Sequence, residues 1–226
     1  MTGKPEEAEN KSKQIYKDVL WKIIRLEYMP GDKISENELC SIYGTTRHNV
    51  RGALSVLKEK GFVEIYPQRG TFVSLLKIDH LHQVLFIREA IEQEAFYELI
   101  TGGIDPKYLK TLKKLVSEQE KTGGIIKNPE EFFNLDDEFH ATLVKAIGKE
   151  ASLSMLKDAH MHTRRWRNIG LDTLEPVDNL TAEHEKLIEA IETGNWRAGR
   201  DVIHNHINAV ISYSEKAMAK HPKYFA

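Results

Sequence analysis

Four residues in the second half of the chain have types and positions that suit a divalent metal: Asp136, His140, His184 and His206. Asp136 and His140 stand four apart, on one face of a helix. That face is otherwise apolar, built from Phe132, Leu135, Phe139, Leu143 and Ile147. His184 interrupts a second stripe of Val177, Leu180, Leu187, Ile188 and Ile191, and His206 a third of Val202, Ile203, Val210 and Tyr213. Gly194 separates the last two helices, 10 residues after His184 and 12 before His206. At ~1.5 Å rise per residue both histidines lie roughly 15–18 Å from that turn, level across an antiparallel pair. His204 points to the other side of its helix, toward solvent. A carboxylate on a core face is costly unless paired. Three imidazoles and one carboxylate suit Zn²⁺, with Ni²⁺ or Mn²⁺ as alternatives, and leave room for water or an acid ligand. A hydrogen-bonded core histidine is the competing reading at each position, and the residues alone leave the two open.

A second group suits nucleic acid. Arg47 and Arg51 share the outer face of a helix whose inner face is Val50, Leu54 and Leu57, and Ser55 and Lys58 extend the outer face. An arginine can grip guanine O6 and N7 with two hydrogen bonds while its neighbours hold phosphates. Thr46 and His48, in the first turn, can donate to phosphate or a base edge. Further on, Arg69 is an exposed cation and Gly70 lets backbone approach a duplex closely. Arg88 falls in the stripe Leu81, Val84, Ile91 and Ala95, where it needs an anion. That anion is either an effector carboxylate, clamped through two hydrogen bonds, or a buried glutamate. His160, Arg164 and Arg167 are weaker pocket candidates, read first as structural or solvent-facing.

The elements that position these groups are mostly helical. Residues 1–10 read as a disordered arm and 13–28 as a helix ended by Met29-Pro30-Gly31-Asp32. Ser35-Glu36-Asn37-Glu38 is a capping box opening a short helix that Gly44 stops. A helix from Thr45 or Thr46 to Lys60 follows, then strands 62–66 and 71–75 around the turn Pro67-Gln68-Arg69-Gly70. Two helices joined by a tight turn, followed by a hairpin, make a winged helix-turn-helix. Beyond residue 78 the pattern predicts helices 79–100, 106–121, 129–147, 150–168, 176–193 and 196–219, broken at Gly102-Gly103, Gly123-Gly124, Gly148, Gly170 and Gly194. The fold class is therefore mainly α: a winged helix-turn-helix with a small β-hairpin wing over 11–76, then an antiparallel all-α bundle over 77–226 for metal and effector binding and dimerisation.

Composition sets outer bounds. The chain has 226 residues and net charge −2. Residues 11–76 carry 11 Lys+Arg against 7 Asp+Glu, and residues 77–226 carry 20 against 24. A basic front on an acidic body fits a DNA-binding module joined to something else. The single cysteine, Cys40, excludes an internal disulfide and fits a reducing compartment. No secretory leader or run of about 18 apolar residues is present, so the expected location is the cytoplasm, with no membrane partner.

The run Met29-Pro30-Gly31-Asp32-Lys33-Ile34-Ser35-Glu36-Asn37-Glu38-Leu39, then Thr46-Arg47-His48-Asn49-Val50-Arg51-Gly52-Ala53-Leu54, then Gly70-Thr71-Phe72-Val73, resembles the GntR family of regulators. Asp136-x-x-x-His140, and His184-x-x-Leu187-Ile188-x-Ala190-Ile191-x-x-Gly194-Asn195 followed by His206, resemble its FCD subgroup, as does Arg88-Glu89-Ala90-Ile91-Glu92. The resemblance implies a homodimer on a palindromic double-stranded operator, contacted at Thr46, Arg47, His48, Arg51, Arg69 and Gly70. It also implies a metal on Asp136, His140, His184 and His206, with a small carboxylate at or near it. Asn37 stands where members often have Arg, and His48-Asn49 where they have Thr-Pro. The expected function is a ligand-controlled repressor, not an enzyme. The alternatives are a metallohydrolase with an accessory winged helix, since such a metal can activate water, and a metal-stabilised regulator with no effector.

Overall fold

In the computed structural model the described residues are 5–123, 127–171 and 179–226. They divide into two units, Met1–Lys77 with Met218–Ala226, and Ile78–Ala217.

The first unit begins with α1 (Pro5–Ile24). The helix starts earlier than expected: residues 5–10 belong to it and are no disordered arm, while residues 1–4 lie outside the described ones. Pro5 fits a first helical position, where its missing N–H costs nothing, and Glu6 to Lys13 contain no breaker. Glu9 and Lys13 pair at 2.6 Å across one turn. The helix also ends earlier than expected, and Leu26 takes a positive φ of 61° in the turn after it. Ile15, Val19 and Ile23 are fully buried and face α3 (Arg47–Glu59), whose Val50, Leu54 and Leu57 are buried in turn. Each such side chain contributes about 1.5–3 kcal/mol on burial.

Between them runs α2 (Glu36–Tyr43), capped by the Ser35 hydroxyl, which accepts from the Glu38 N–H. Gly44 ends α2 in the left-handed region, φ 54°, with no side-chain neighbour near its Cα hydrogens. Only backbone strain therefore opposes a larger residue there. Gly44→Ala is expected to cost about 1 kcal/mol, read as a lowered melting temperature with the circular dichroism of the folded state unchanged.

Strands β2 (Val63–Tyr66) and β3 (Gly70–Val73) form the expected hairpin, with Val63 opposite Val73 and Tyr66 opposite Gly70. A third strand, β1 (Lys33–Ile34), adds to the far side of β3, so the order is β1-β3-β2. Two residues are too short to show a period, which is why the sequence reading gave a hairpin alone. The chain after β3 is paired as well: the Leu76 N–H donates to the Tyr224 carbonyl at 2.9 Å, and the Ala226 N–H to the Leu76 carbonyl at 3.0 Å. The last residues thus join the first unit rather than the bundle, a departure from the boundary at 76/77.

The second unit is all-helical: α4 (Ile78–Gly102), α5 (Pro106–Lys121), α6 (Pro129–Ala146), α7 (Leu153–Gly170) after a 3₁₀ turn at Glu150–Ser152, α8 (Asn179–Thr193) and α9 (Trp196–Lys220), which ends in the first unit. Asp105 and Asn128 cap α5 and α6 ahead of a proline at the first position. Gly124 and the expected first residues of α8, 176–178 with Val177, lie outside the described residues, as does the Tyr213 side chain. α4 packs on α6 and α7, and α5 on α6 and α8. No helix among the described residues is long and apolar enough to cross a membrane.

Candidate functional site

The nucleic-acid face is carried by α3. Arg47, His48, Arg51, Ser55 and Lys58 are exposed along it, opposite the buried Val50, Leu54 and Leu57. Thr46 occupies the N-cap position in extended conformation, yet its side chain makes no capping bond. Both arginines are held by the start of α2. Arg47 donates from Nε (3.2 Å) and Nη2 (2.8 Å) to Asn37 Oδ1. Arg51 Nε lies 3.0 and 3.2 Å from the two Glu36 carboxylate oxygens. At the wing tip Arg69 is exposed and lies over the Tyr66 ring, 5.3 Å from its centre. Gly70 has φ 113°, and a Cβ there would meet Lys33 Cε at 3.0 Å. Glycine is therefore needed by the turn itself. The wing, α3 and the α2 start line one groove that includes Lys33, Asn37, Arg47, Arg51, Arg69 and Gly70.

The second unit brings Asp136 and His140 of α6, His184 of α8 and His206 of α9 to one point. All four are fully buried, and their ligand-type atoms lie within 4.8 Å of one another. His206 Nε2 is 3.0 Å from His140 Nε2 and 3.3 Å from His184 Nε2. Asp136 Oδ1 is 3.4, 3.5 and 3.8 Å from the Nε2 atoms of His184, His206 and His140. A tetrahedron of ligands about 2.0–2.1 Å from an ion has edges of about 3.3–3.4 Å, so the spacing fits.

The outer nitrogens support the same fit. His140 Nδ1 lies 2.7 Å from Glu92 Oε2, His184 Nδ1 lies 2.8 Å from Gln119 Oε1, and His206 Nδ1 lies 2.8 Å from Glu183 Oε2. Gln119 Oε1 and Glu183 Oε2 are acceptors, which in neutral imidazoles places the His184 and His206 protons on Nδ1 and turns their Nε2 lone pairs inward; the His140 Nδ1–Glu92 contact is close but lacks hydrogen-bond geometry. With all three imidazoles neutral, their inward nitrogens and a carboxylate oxygen face one another, and among the described residues Asp136 Oδ1 has no hydrogen-bond partner. That neutral arrangement is unfavourable, and either a metal ion at its centre or a proton on His206 Nε2, whose charged form Asp136 and Glu183 favour, offsets the repulsion.

The electrostatics follow from burial and partners. Burial alone would raise the Asp136 pKa, but Arg167, with Nη1 2.7 Å from Oδ2, and the adjacent histidines hold it well below the usual carboxylate range. Burial likewise opposes ionisation of Glu92, and Arg88 and His140 reverse the balance, so Glu92 is held well below its usual value. Burial lowers His184 strongly and His140 less. His206 is raised despite burial, because Asp136 and Glu183 both favour its charged form.

Of the two anions expected for Arg88, the structure supplies the buried glutamate. Arg88 is 1% exposed and its Nε donates to Glu92 Oε1 at 2.9 Å. Its Nη2, also buried, has no partner. His160 Nε2 is 3.2 Å from the same Glu92 oxygen. Arg164 donates to Asn134 Oδ1 at 2.8 Å and to the Glu130 carbonyl at 2.9 Å. Solvent does not claim this group: His160, Arg164 and Arg167 are all buried, since α7 turns these cations inward among α6 acids as well as burying Leu156, Ala159, Trp166 and Ile169. His204, by contrast, is exposed as expected and pairs with Glu89 at 2.6 Å. Sequence reasoning passed over Glu92, Gln119 and Glu183 as partners, and undervalued Arg167. Glu92 had a detectable signal, standing four residues from Arg88 on the same buried stripe.

A winged helix-turn-helix joined to a helical unit with a buried polar centre defines a DNA-binding transcriptional regulator. Residues 11–73 match the gntR family of bacterial regulatory proteins and residues 83–209 match the FCD domain. The chain belongs to the GntR family, with an FCD domain as its second part. An HTH-type transcriptional regulator in an unstable DNA locus of Streptomyces ambofaciens is 30% identical over 215 residues, covering 95% of this chain and 89% of that protein. The transcriptional repressor RspR of Escherichia coli K12 is 24% identical over 199 residues, covering 88% of this chain and 86% of its own. Among solved structures, E. coli McbR/YncC shares the fold at TM-score 0.72 and 15% identity, over 91% of this chain and 97% of that one. These relatives are regulators, and the chain is not an enzyme.

Proposed function

We propose that this regulator is a repressor whose homodimer binds a palindromic operator in the cytoplasm and whose affinity for it is set by a small carboxylate effector. Residues 11–76 would bind DNA through Thr46, Arg47, His48, Arg51, Arg69 and Gly70. Residues 77–226 would hold the metal and effector and form the dimer. Asp136, His140, His184 and His206 would hold one divalent ion per chain, Zn²⁺ first, with Ni²⁺ or Mn²⁺ as alternatives. When bound, the ion supplies a positive centre that attracts a carboxylate.

Arg88 would clamp the effector through its free Nη2, with His160 and Arg164 beside it. Glu92 connects the parts, because it touches Arg88, His160 and His140. An anion drawing Arg88 away from Glu92 would disturb the carboxylate that orients His140. Regulation follows if the two DNA-binding states differ in affinity for that anion. The observation that carries the reading is the buried Asp136 oxygen facing three inward nitrogens with no donor.

The test is elemental analysis of the purified full-length protein beside the Asp136→Ala/His140→Ala variant. About one Zn, Ni or Mn per chain is expected in the first and none in the second. Equal metal in both would show that the site is misassigned. No metal in either, after incubation with each ion, would reduce the centre to a hydrogen-bonded core.

A further inference from the structure

We propose that the first turn of α2 is a second layer of the DNA-reading head. Glu36 fixes the guanidinium of Arg51, and Asn37 that of Arg47, so that each arginine offers its remaining N–H edge to a base rather than settling on phosphate. The inference rests on the reading of α3 as the recognition helix.

The geometry divides each guanidinium into a held part and a free part. Glu36 engages Arg51 through Nε alone, at 3.0 and 3.2 Å, and among the described residues Nη1 and Nη2 make no hydrogen bond. Those two terminal nitrogens are the pair whose spacing matches O6 and N7 of guanine. Asn37 takes the Nε/Nη2 side of Arg47 with a single oxygen, and among the described residues Nη1 makes no hydrogen bond. An unheld arginine must lose rotamer freedom when it binds a base, whereas a held one has lost it already.

Charge separates the two anchors. Glu36 carries a carboxylate, 29% exposed, beside the position that DNA would occupy. Within the Debye length of about 8 Å this charge repels phosphate oxygens. Arg51 could otherwise wander to the backbone, where contacts give affinity without sequence information. Glu36 therefore lowers affinity for any DNA while sharpening the choice among base pairs. Asn37 supplies the same acceptor without the charge, so Arg47 is oriented but less restrained from phosphate.

The experiment uses the full-length protein and duplexes that it selects from a randomised pool, with random-sequence DNA as the second probe. Arg51→Ala first identifies the base pair that Arg51 reads, as the position where preference disappears. Glu36→Ala should then reduce preference at that same pair from about 5- to 150-fold to below about threefold, and should bind random DNA more tightly than wild type. Glu36→Gln retains an acceptor and should restore most of the preference, while still binding random DNA more tightly. Continued binding of random DNA shows that each variant is folded.

The proposal is overturned if Glu36→Ala keeps the full preference, or if Glu36→Gln is no better than Glu36→Ala. If Arg51→Ala itself leaves the selected sequence unchanged, the recognition-helix assignment has failed, and this inference with it.

Discussion

Removing the divalent ion proposed at Asp136, His140, His184 and His206 from the full-length protein with a chelator is expected to lower its melting temperature by roughly 5–10 °C. A ligand present at 100 times its dissociation constant stabilises the folded state by about 2.7 kcal/mol, and a chain of this size loses about 2–4 °C per kcal/mol. The loss has a structural cause beyond mass action, since the inward Nε2 atoms and Asp136 Oδ1 are left facing one another. His184→Ala should abolish the chelator's effect while leaving α3 able to bind DNA. A His184→Ala protein whose melting temperature still falls on chelation would place the ion elsewhere.

The same centre fixes the sign of the pH dependence. Burial holds His184 well below its ordinary value of 6.5 and lowers His140 as well. As pH falls below about 6.5, the unfolded chain takes up protons that these two folded histidines refuse, so stability drops, by up to about 1.4 kcal/mol per pH unit for each. In the ion-free protein His206, raised above 6.5, acts oppositely: its contribution is full below 6.5 and is lost as pH rises through its folded value, which offsets one of the two; with the ion bound it is held neutral and offers no such offset. Ion release reinforces the acid loss, because every imidazole ligand must be neutral. Melting temperatures of the ion-loaded protein should therefore decline from pH 7 to pH 5. A rise over that range would contradict the assignment.

The second large effect is expected at the other end of the chain. Arg51→Ala should weaken binding to a selected operator by about 1–3 kcal/mol and flatten the preference at one base pair. The contrast with Lys58→Ala makes the result diagnostic. Lys58 lies in the last turn of the same helix, away from the N-terminal end that enters the groove in such motifs, so its loss should lower affinity for all sequences alike. It should also reduce the slope of log affinity against log salt by about one. If Arg51→Ala behaves like Lys58→Ala, Arg51 is a phosphate contact. If neither changes binding, α3 is not the helix that enters the groove.

What the sequence reveals depends on how local the determining physics is. The bounds of α5 are readable to the residue, because Asp105 caps it, Pro106 fixes its first turn and Gly123 follows its end. The meeting of Asp136, His140, His184 and His206 was legible in part: each is polar in an apolar stripe, which left a metal cluster and separate core histidines both open, and the family resemblance selected the cluster. The groups that orient them were not legible. Glu92, Gln119 and Glu183 sit among many acids and amides on helices, and only the packing of α4, α5 and α8 shows which of them meet an imidazole. α7 misled for the opposite reason: His160, Arg164 and Arg167 fall at one-face helical spacing, but cations on a face read as solvated, and the partners that bury them lie on other helices. β1 and the C-terminal pairing at Leu76 are tertiary events with no sequence period to announce them.

The pairing at Leu76 has a consequence for anyone wishing to transplant the DNA-binding part onto another sensor. The first unit is not a cassette with one seam. The chain leaves it after Lys77 and comes back at Met218, so it is spliced from two distant stretches of sequence. A cut after Lys77 would strip Leu76 of both its backbone partners, those from Tyr224 and Ala226, and present bare strand edge to other molecules. A portable version would have to carry the nine C-terminal residues in trans or refuse them to a shortened loop, as split proteins and circular permutants do.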